Sequence, residues 1–151
     1  MIINSLGDVG IGTTVPALKL HVIGNIAATG TVTASYSDER LKTITSKINN
    51  PLKIINNLNG FYYIPNKLAN TYGINSTNTE IGLNAQEIQK ELPEIVKLAP
   101  FDIELKDGEI ISKSGQNYLT VSYERLIPVI IEAIKDLSKE INDIKTIINN
   151  K

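Results

Sequence analysis

Apolar residues towards the end of the chain recur with one regular step. Ile127, Ile130, Ile134, Leu137, Ile141, Ile144 and Ile148 advance by three and four in alternation. That spacing predicts a helix with a narrow apolar seam, the pattern of a coiled coil over about three heptads. Ile127, Ile134, Ile141 and Ile148 take the a positions, and Ile130, Leu137 and Ile144 take the d positions. Isoleucine at both a and d shifts preference from dimers towards trimers or tetramers. Ile131 and Ile147 widen the stripe and also suit a helix lying on its own domain. Lys139, Glu140 and Asp143 flank the seam and favour self-association. Ser122 suits a helix cap and Glu124 a first turn. Pro128 is tolerated only near the start and otherwise kinks the helix.

Elsewhere the pattern changes period. Leu18 to Val22 alternates apolar and polar, as a half-buried strand does, and Gly30 to Ala34 is a second β-prone run. Strands this short are unstable alone and predict a stalk in which chains wind together or stack. Ser37 and Asp38 then suit a helix start, with Leu41, Ile44 and Ile48 at helical spacing. A second helix is signalled by Asn50 as cap, Pro51 at the first position and Asn59-Gly60 at the end, burying Leu52, Ile55 and Leu58. Phe61 to Ile64 reads as a strand, 66–79 as a long polar loop or the tip of a hairpin, and Thr79 to Leu83 as a returning strand. Asn84 with Glu87 reads as a capping box for a helix carrying Ile88 and Leu92 and stopped by Pro93. Glu94 to Leu98 is extended. Asp107-Gly108 between alternating runs predicts a tight hairpin, and Tyr118 to Val121 is a last strand.

Composition adds bounds. The chain has 151 residues, enough for one ordinary domain. Its 15 Lys and Arg nearly balance 16 Asp and Glu, so no basic field draws nucleic acid. No apolar run reaches the roughly 20 residues of a membrane span, and the first residues lack the layout of a signal peptide. There is no cysteine and no tryptophan, so Ile and Leu must build most of the core, and burial between subunits would help. The single histidine, His21, reads as a solvent-facing residue on an alternating strand. Neither a metal nor a cofactor is called for, and the Gly7–Gly12 run lacks the Lys-Ser/Thr of a phosphate loop.

One stretch carries candidate chemistry. Ser37-Asp38-Glu39-Arg40-Leu41-Lys42 places a hydroxyl and an amine five residues apart where the composition changes. A neutral amine can activate a serine, and burial can lower a lysine's pKa enough to supply one. On one α-helix, residues five apart lie about 140° from each other. A working pair therefore needs Ser37 to precede the helix, or to meet Lys42 across a subunit boundary. From the residues alone, the better reading is that Ser37 caps a helix and Lys42 is a surface lysine pairing with Glu39 or Asp38. Gln86-Glu87 likewise fits capping and surface polarity better than catalysis.

Three blocks in this order carry a resemblance: Ser37 to Lys42, Gly82 to Val96, and Tyr118 to Pro128. The sequence 37–151 resembles the C-terminal intramolecular chaperone of phage endosialidases and tail fibres, a self-cleaving domain also found in myelin regulatory factor-type proteins. Val9 to Thr13 and Lys19 to Val22 are similar to repeats that end tail-fibre stalks. The resemblance implies a homotrimer and a serine–lysine dyad formed by Ser37 and Lys42. It implies Asp38, Glu39 and Arg40 as supporting groups and Tyr36–Ser37 as the scissile bond.

These observations predict an α+β fold. Residues 1–36 would be a β-stalk remnant and 37–151 a small mixed core ending in a trimeric coiled-coil helix over about 123–150. The expected function is an intramolecular chaperone. It trimerises, aligns the upstream β-stalk of the same polypeptide and then releases itself. The expected location is a viral fibre made in the host cytoplasm, with the released part not retained and with neither nucleic acid nor membrane as partner. A non-cleaving trimeric cap and an adhesin tip using the 66–79 loop are the alternatives. A hydrolase acting on other substrates is least favoured.

Overall fold

Gly10 sits in the middle of a tight N-terminal sheet because nothing larger fits. A Cβ there would lie 2.5 Å from the carbonyl oxygen of Thr13. Around it, β1 (Ile2–Ile3), β2 (Val9–Ile11) and β3 (Leu20–Val22) form a three-stranded sheet in that order. β2 runs antiparallel to β1 and parallel to β3, with Gly10 opposite His21. A computed structural model describes residues 1–32 and 36–150. The strand expected over 30–34 therefore lies partly outside the described residues.

The chain divides into two units. The first is Met1–Lys47 with Leu98–Tyr118, and the second is Ile48–Lys97 with Leu119–Lys151.

In the first unit His21 departs from expectation. It is buried, not solvent-facing. The Ala17 amide donates to its Nδ1 at 3.3 Å, so Nε2 carries the proton and donates to the Pro100 carbonyl at 3.0 Å. Alternation placed this side chain on one face of the strand, and the sequence pattern carried no sign that the Pro100 turn covers that face. Asp8 is buried as well, paired with Lys19 and with the Asn4 amide. Between 37 and 48 the structure corrects the helical reading. Only Glu39–Leu41 is helical, as one 3₁₀ turn, and Leu41 and Ile44 are exposed. Apolar spacing alone misled here because no surface among the described residues receives Leu41 or Ile44.

The second unit holds the apolar core. Helix α1 (Pro51–Asn56) starts with Pro51 as expected. Asn50 adopts a left-handed conformation there and offers no side-chain cap. β4 (Gly60–Tyr63) follows, then a short helix α2 (Lys67–Thr71) inside the segment expected to be loop. Asn66 nucleates α2 by accepting from the Ala69 amide at 3.0 Å. β5 (Glu80–Leu83) returns antiparallel to β4. Helix α3 (Ala85–Glu91) is capped by Asn84, whose side chain accepts from Gln86 and Glu87. Ile88 on α3 is wholly buried against Ile95 and Leu126. Leu58, Leu83, Leu92, Val96 and Val121 close around them.

β6 (Val96–Leu98) precedes the first unit's hairpin of β7 (Ile103–Lys106) and β8 (Glu109–Ser112). Asp107 and Gly108 turn that hairpin with positive φ, as a tight hairpin turn requires. β9 (Leu119–Val121) then pairs with β6. A 3₁₀ turn over Tyr123–Leu126 leads into α4 (Ile127–Asn149). Pro128 therefore falls in the first turn, where its missing N–H costs nothing. Ser122 does not cap through its side chain. The fold is α+β with a long C-terminal helix. No helix among the described residues is long and apolar enough to cross a membrane.

Candidate functional site

A single turn brings Ser37 and Lys42 together. Asp38 is extended, and its carboxylate caps the 3₁₀ turn by accepting from the Arg40 amide at 2.9 Å. Leu41 and Lys42 amides donate back to the carbonyls of Asp38 and Glu39. The chain is extended again at Lys42. Ser37 thus lies before the turn and Lys42 just after it, and Lys42 Nζ donates to Ser37 Oγ at 3.2 Å. An α-helix could not have joined them.

The neighbouring charges fix the turn. Arg40 grips Asp38 through Nε to Oδ1 at 3.0 Å and Nη2 to Oδ2 at 2.6 Å. This fork holds the Asp38 carboxyl below its ordinary range, with the nearby Lys42 charge adding a smaller share, and raises Arg40 above its own. The Glu39 side chain makes no hydrogen bond or ion pair among the described residues, while its carbonyl accepts from the Lys42 amide at 3.0 Å. Ser37, Lys42 and Tyr36 are exposed, as are Leu41 and Ile44 beside them. The geometry offers a hydroxyl within reach of an amine. Nothing of the described chain removes that amine from water, which a lysine base requires. No group of three or more metal-ligating side chains occurs among the described residues.

Glu87, weighed above as a possible catalytic carboxylate, binds the end of α1. Its Oε2 accepts from the Asn59 amide at 3.2 Å and from Asn59 Nδ2 at 3.3 Å. It makes no return bond to Asn84, so the capping box is only half formed. Glu91, one turn on, accepts from Asn57 Nδ2 at 2.9 Å. The Gly82 block meets the Tyr123 block directly, since the Tyr123 hydroxyl accepts from the Leu83 amide at 3.1 Å.

All seven seam residues of α4 are between 43% and 64% exposed. The helix packs on α1 near its start, where Val129 and Ala133 are buried, and from Ile134 to Asn149 every residue is exposed.

Comparison with known proteins agrees with this layout. Residues 37–97 match the family described as chaperone of endosialidase. This segment belongs to that family. Relatives across a longer stretch are long tail fibre proteins Gp37. That of Enterobacteria phage K3 is 34% identical over 110 residues, covering 73% of this chain and 8% of the relative. That of Salmonella phage S16 is 28% identical over 113 residues, covering 74% and 14%. That of Enterobacteria phage M1 is 30% identical over 111 residues, covering 73% and 39%. The chain thus spans well under half the length of these fibre proteins.

Proposed function

We propose that this chain is the trimerising, self-releasing chaperone of a viral fibre. Three copies associate through α4 and bring three upstream β-stalk segments of the same polypeptides into register. Ser37 then cuts the chain at Tyr36–Ser37. The chaperone family match and the tail-fibre relatives support a fibre-associated role, either chaperoning or structural. The observation that carries the cleavage reading is the Lys42 Nζ contact with Ser37 Oγ at 3.2 Å, created by the turn that Asp38 and Arg40 hold.

The chemistry follows from that contact. With Lys42 neutral, its lone pair takes the Ser37 proton as Oγ attacks the Tyr36 carbonyl. The Tyr36–Ser37 amide rearranges to an ester on Oγ, freeing the Ser37 amine. Water then opens the ester, leaving a Tyr36 carboxylate and a chain beginning at Ser37. The Asp38–Arg40 fork and the Glu39 carbonyl, which accepts from the Lys42 amide, orient the turn. Association would cover Tyr36, Leu41 and Ile44 and desolvate Lys42.

The sequence of events has a physical rationale. Intertwined β-stalks are rich in non-local pairings and nucleate slowly. A helical trimer raises the local concentration of the strands attached to it. Cutting afterwards makes assembly effectively irreversible. In this reading the stalk stays in a virion made in the host cytoplasm, and the released part is not retained. The test is intact mass of the freshly expressed chain beside Ser37→Ala and Lys42→Ala. A fragment beginning at Ser37 in the wild type, with both variants whole, supports the dyad. A wild type that trimerises and stays whole rejects cleavage and leaves a non-cleaving structural cap.

A further inference from the structure

Most of α4 is bare, and the charges beside its seam differ in a way the seam itself does not. With Ile134 and Ile141 at a, Glu140 falls at g and Lys145 at e of the next heptad. Both are exposed. Neither forms an ion pair among the described residues, where the ion pair found on α4 joins Lys135 to Glu132. Glu140 is also poorly placed within its own helix, because the residues four before and three after it are Asp136 and Asp143. Like charges at those spacings repel. Lys145 has Ile141 and Asn149 four residues to either side and gains no partner there.

We infer that Glu140 of one chain pairs with Lys145 of a second copy, and that this contact sets parallel, in-register association of α4. In parallel coiled coils the g residue of one heptad meets the e residue of the neighbour's next heptad, and such pairs set orientation and partner choice. Parallel alignment places Glu140 against Lys145 at every interface. Antiparallel alignment brings g to g and e to e, so with the helices overlapped Glu140 falls near Glu140, Lys145 faces the uncharged Ile131, and the opposite-charge pair is lost. The remaining g and e positions carry Ala133, Ser138, Ile131 and Ile147, none of them charged. This one pair is therefore the charge signal for orientation along the uncovered part of the helix. The inference rests on the self-association proposed above and adds the contact that aligns it.

The experiment uses the full chain with Ser37→Ala, so that every molecule stays whole. Sedimentation equilibrium is run on this parent, on added Glu140→Lys, on added Lys145→Glu, and on both together. Each single change is expected to weaken association on the order of tenfold at low salt, and the double change to restore it. About 1 M salt should shrink the differences. A second variant reads orientation. The chain has no cysteine, so Ile148→Cys introduces one thiol at the far a position. Parallel helices place these thiols together and they oxidise to linked dimers. Antiparallel helices, in which a faces d, hold each thiol near the partner's Ile130 and roughly 27 Å from the other thiol. If the parent associates but the double variant is no better than the singles, or the thiols stay free, the inference fails while self-association stands. A parent that is monomeric at all concentrations overturns both.

Discussion

Replacing Asp102 should loosen the loop over 112–118 more than any other single polar change in the first unit. Asp102 is 1% exposed and carries no ion pair among the described residues. Its Oδ1 accepts from the Ser114 amide at 2.8 Å. Its Oδ2 accepts from the Ser112 hydroxyl at 2.7 Å and the Tyr118 amide at 3.0 Å. The Ser112 oxygen in turn accepts from the Asn117 amide at 3.1 Å. Asp102→Ala strands three donors. A buried donor left unsatisfied costs about 1–3 kcal/mol. Because water can reach this loop once the carboxylate is gone, the low end applies, for a total of about 3 kcal/mol. Asp102→Asn keeps one acceptor and turns an NH₂ towards a donor, costing about 2 kcal/mol. The assay is amide hydrogen exchange. Protection at Ser114 and Tyr118 should fall about a hundredfold in the alanine variant, since roughly 1.4 kcal/mol is a factor of ten. Unchanged exchange at both amides would mean that the Asp102 carboxylate does not hold this loop.

The same group predicts a pH dependence. Burial pushes the Asp102 carboxyl up, but the hydrogen bonds from Ser114, Ser112 and Tyr118 outweigh it and hold the group below its ordinary value of 3.8. A carboxylate depressed on folding stabilises the fold above its unfolded value, and that contribution is lost as pH falls through the folded value. The stability gap between wild type and Asp102→Asn should stay constant from neutrality to about pH 5 and narrow below about pH 4. Asp8 is lowered too, by Lys19 and Asn4, so the difference between the two proteins isolates Asp102 where the wild-type curve alone does not.

Changes at two further positions test the second unit. Ile88→Ala should cost about 3–4 kcal/mol in urea unfolding and Ile88→Val about 1 kcal/mol, because Ile88 is 0% exposed and a cavity adds to the lost transfer energy. Equal midpoints for both would contradict that packing. Gly82→Ala places a Cβ 3.1 Å from a Tyr63 ring carbon and 3.4 Å from the Tyr123 hydroxyl. About 1–2 kcal/mol of destabilisation is expected, with faster exchange at the Leu83 amide, and an unchanged Leu83 amide would count against it.

What the sequence disclosed followed the range of the interactions involved. Asp107-Gly108, Asn84 before α3 and the heptads of α4 are local signals, and each element formed where they pointed. The turn at Ser37–Lys42 was legible only as a condition, that the serine must precede any helix. The condition is met by a shorter turn than Leu41, Ile44 and Ile48 had suggested. Asp102 and His21 were not legible. An aspartate after Phe101 looks like any turn residue, and its importance comes from the loop over 112–118 folding onto it. His21 depends on the Pro100 carbonyl, 79 residues away. Asn66 lies in a polar stretch that read as loop, and its cap on α2 is weak evidence without the fold around it.

In the proposed order of events, association precedes cutting. This order is tested by synthesising the chain in a cell-free reaction at rising template concentration and following the Tyr36–Ser37 bond by intact mass. The cleaved fraction is expected to climb with chain concentration and to vanish in Leu137→Asp, which puts a charge in the α4 seam. Equal cleavage at every concentration, or full cleavage in Leu137→Asp while that variant sediments as a monomer, would contradict it.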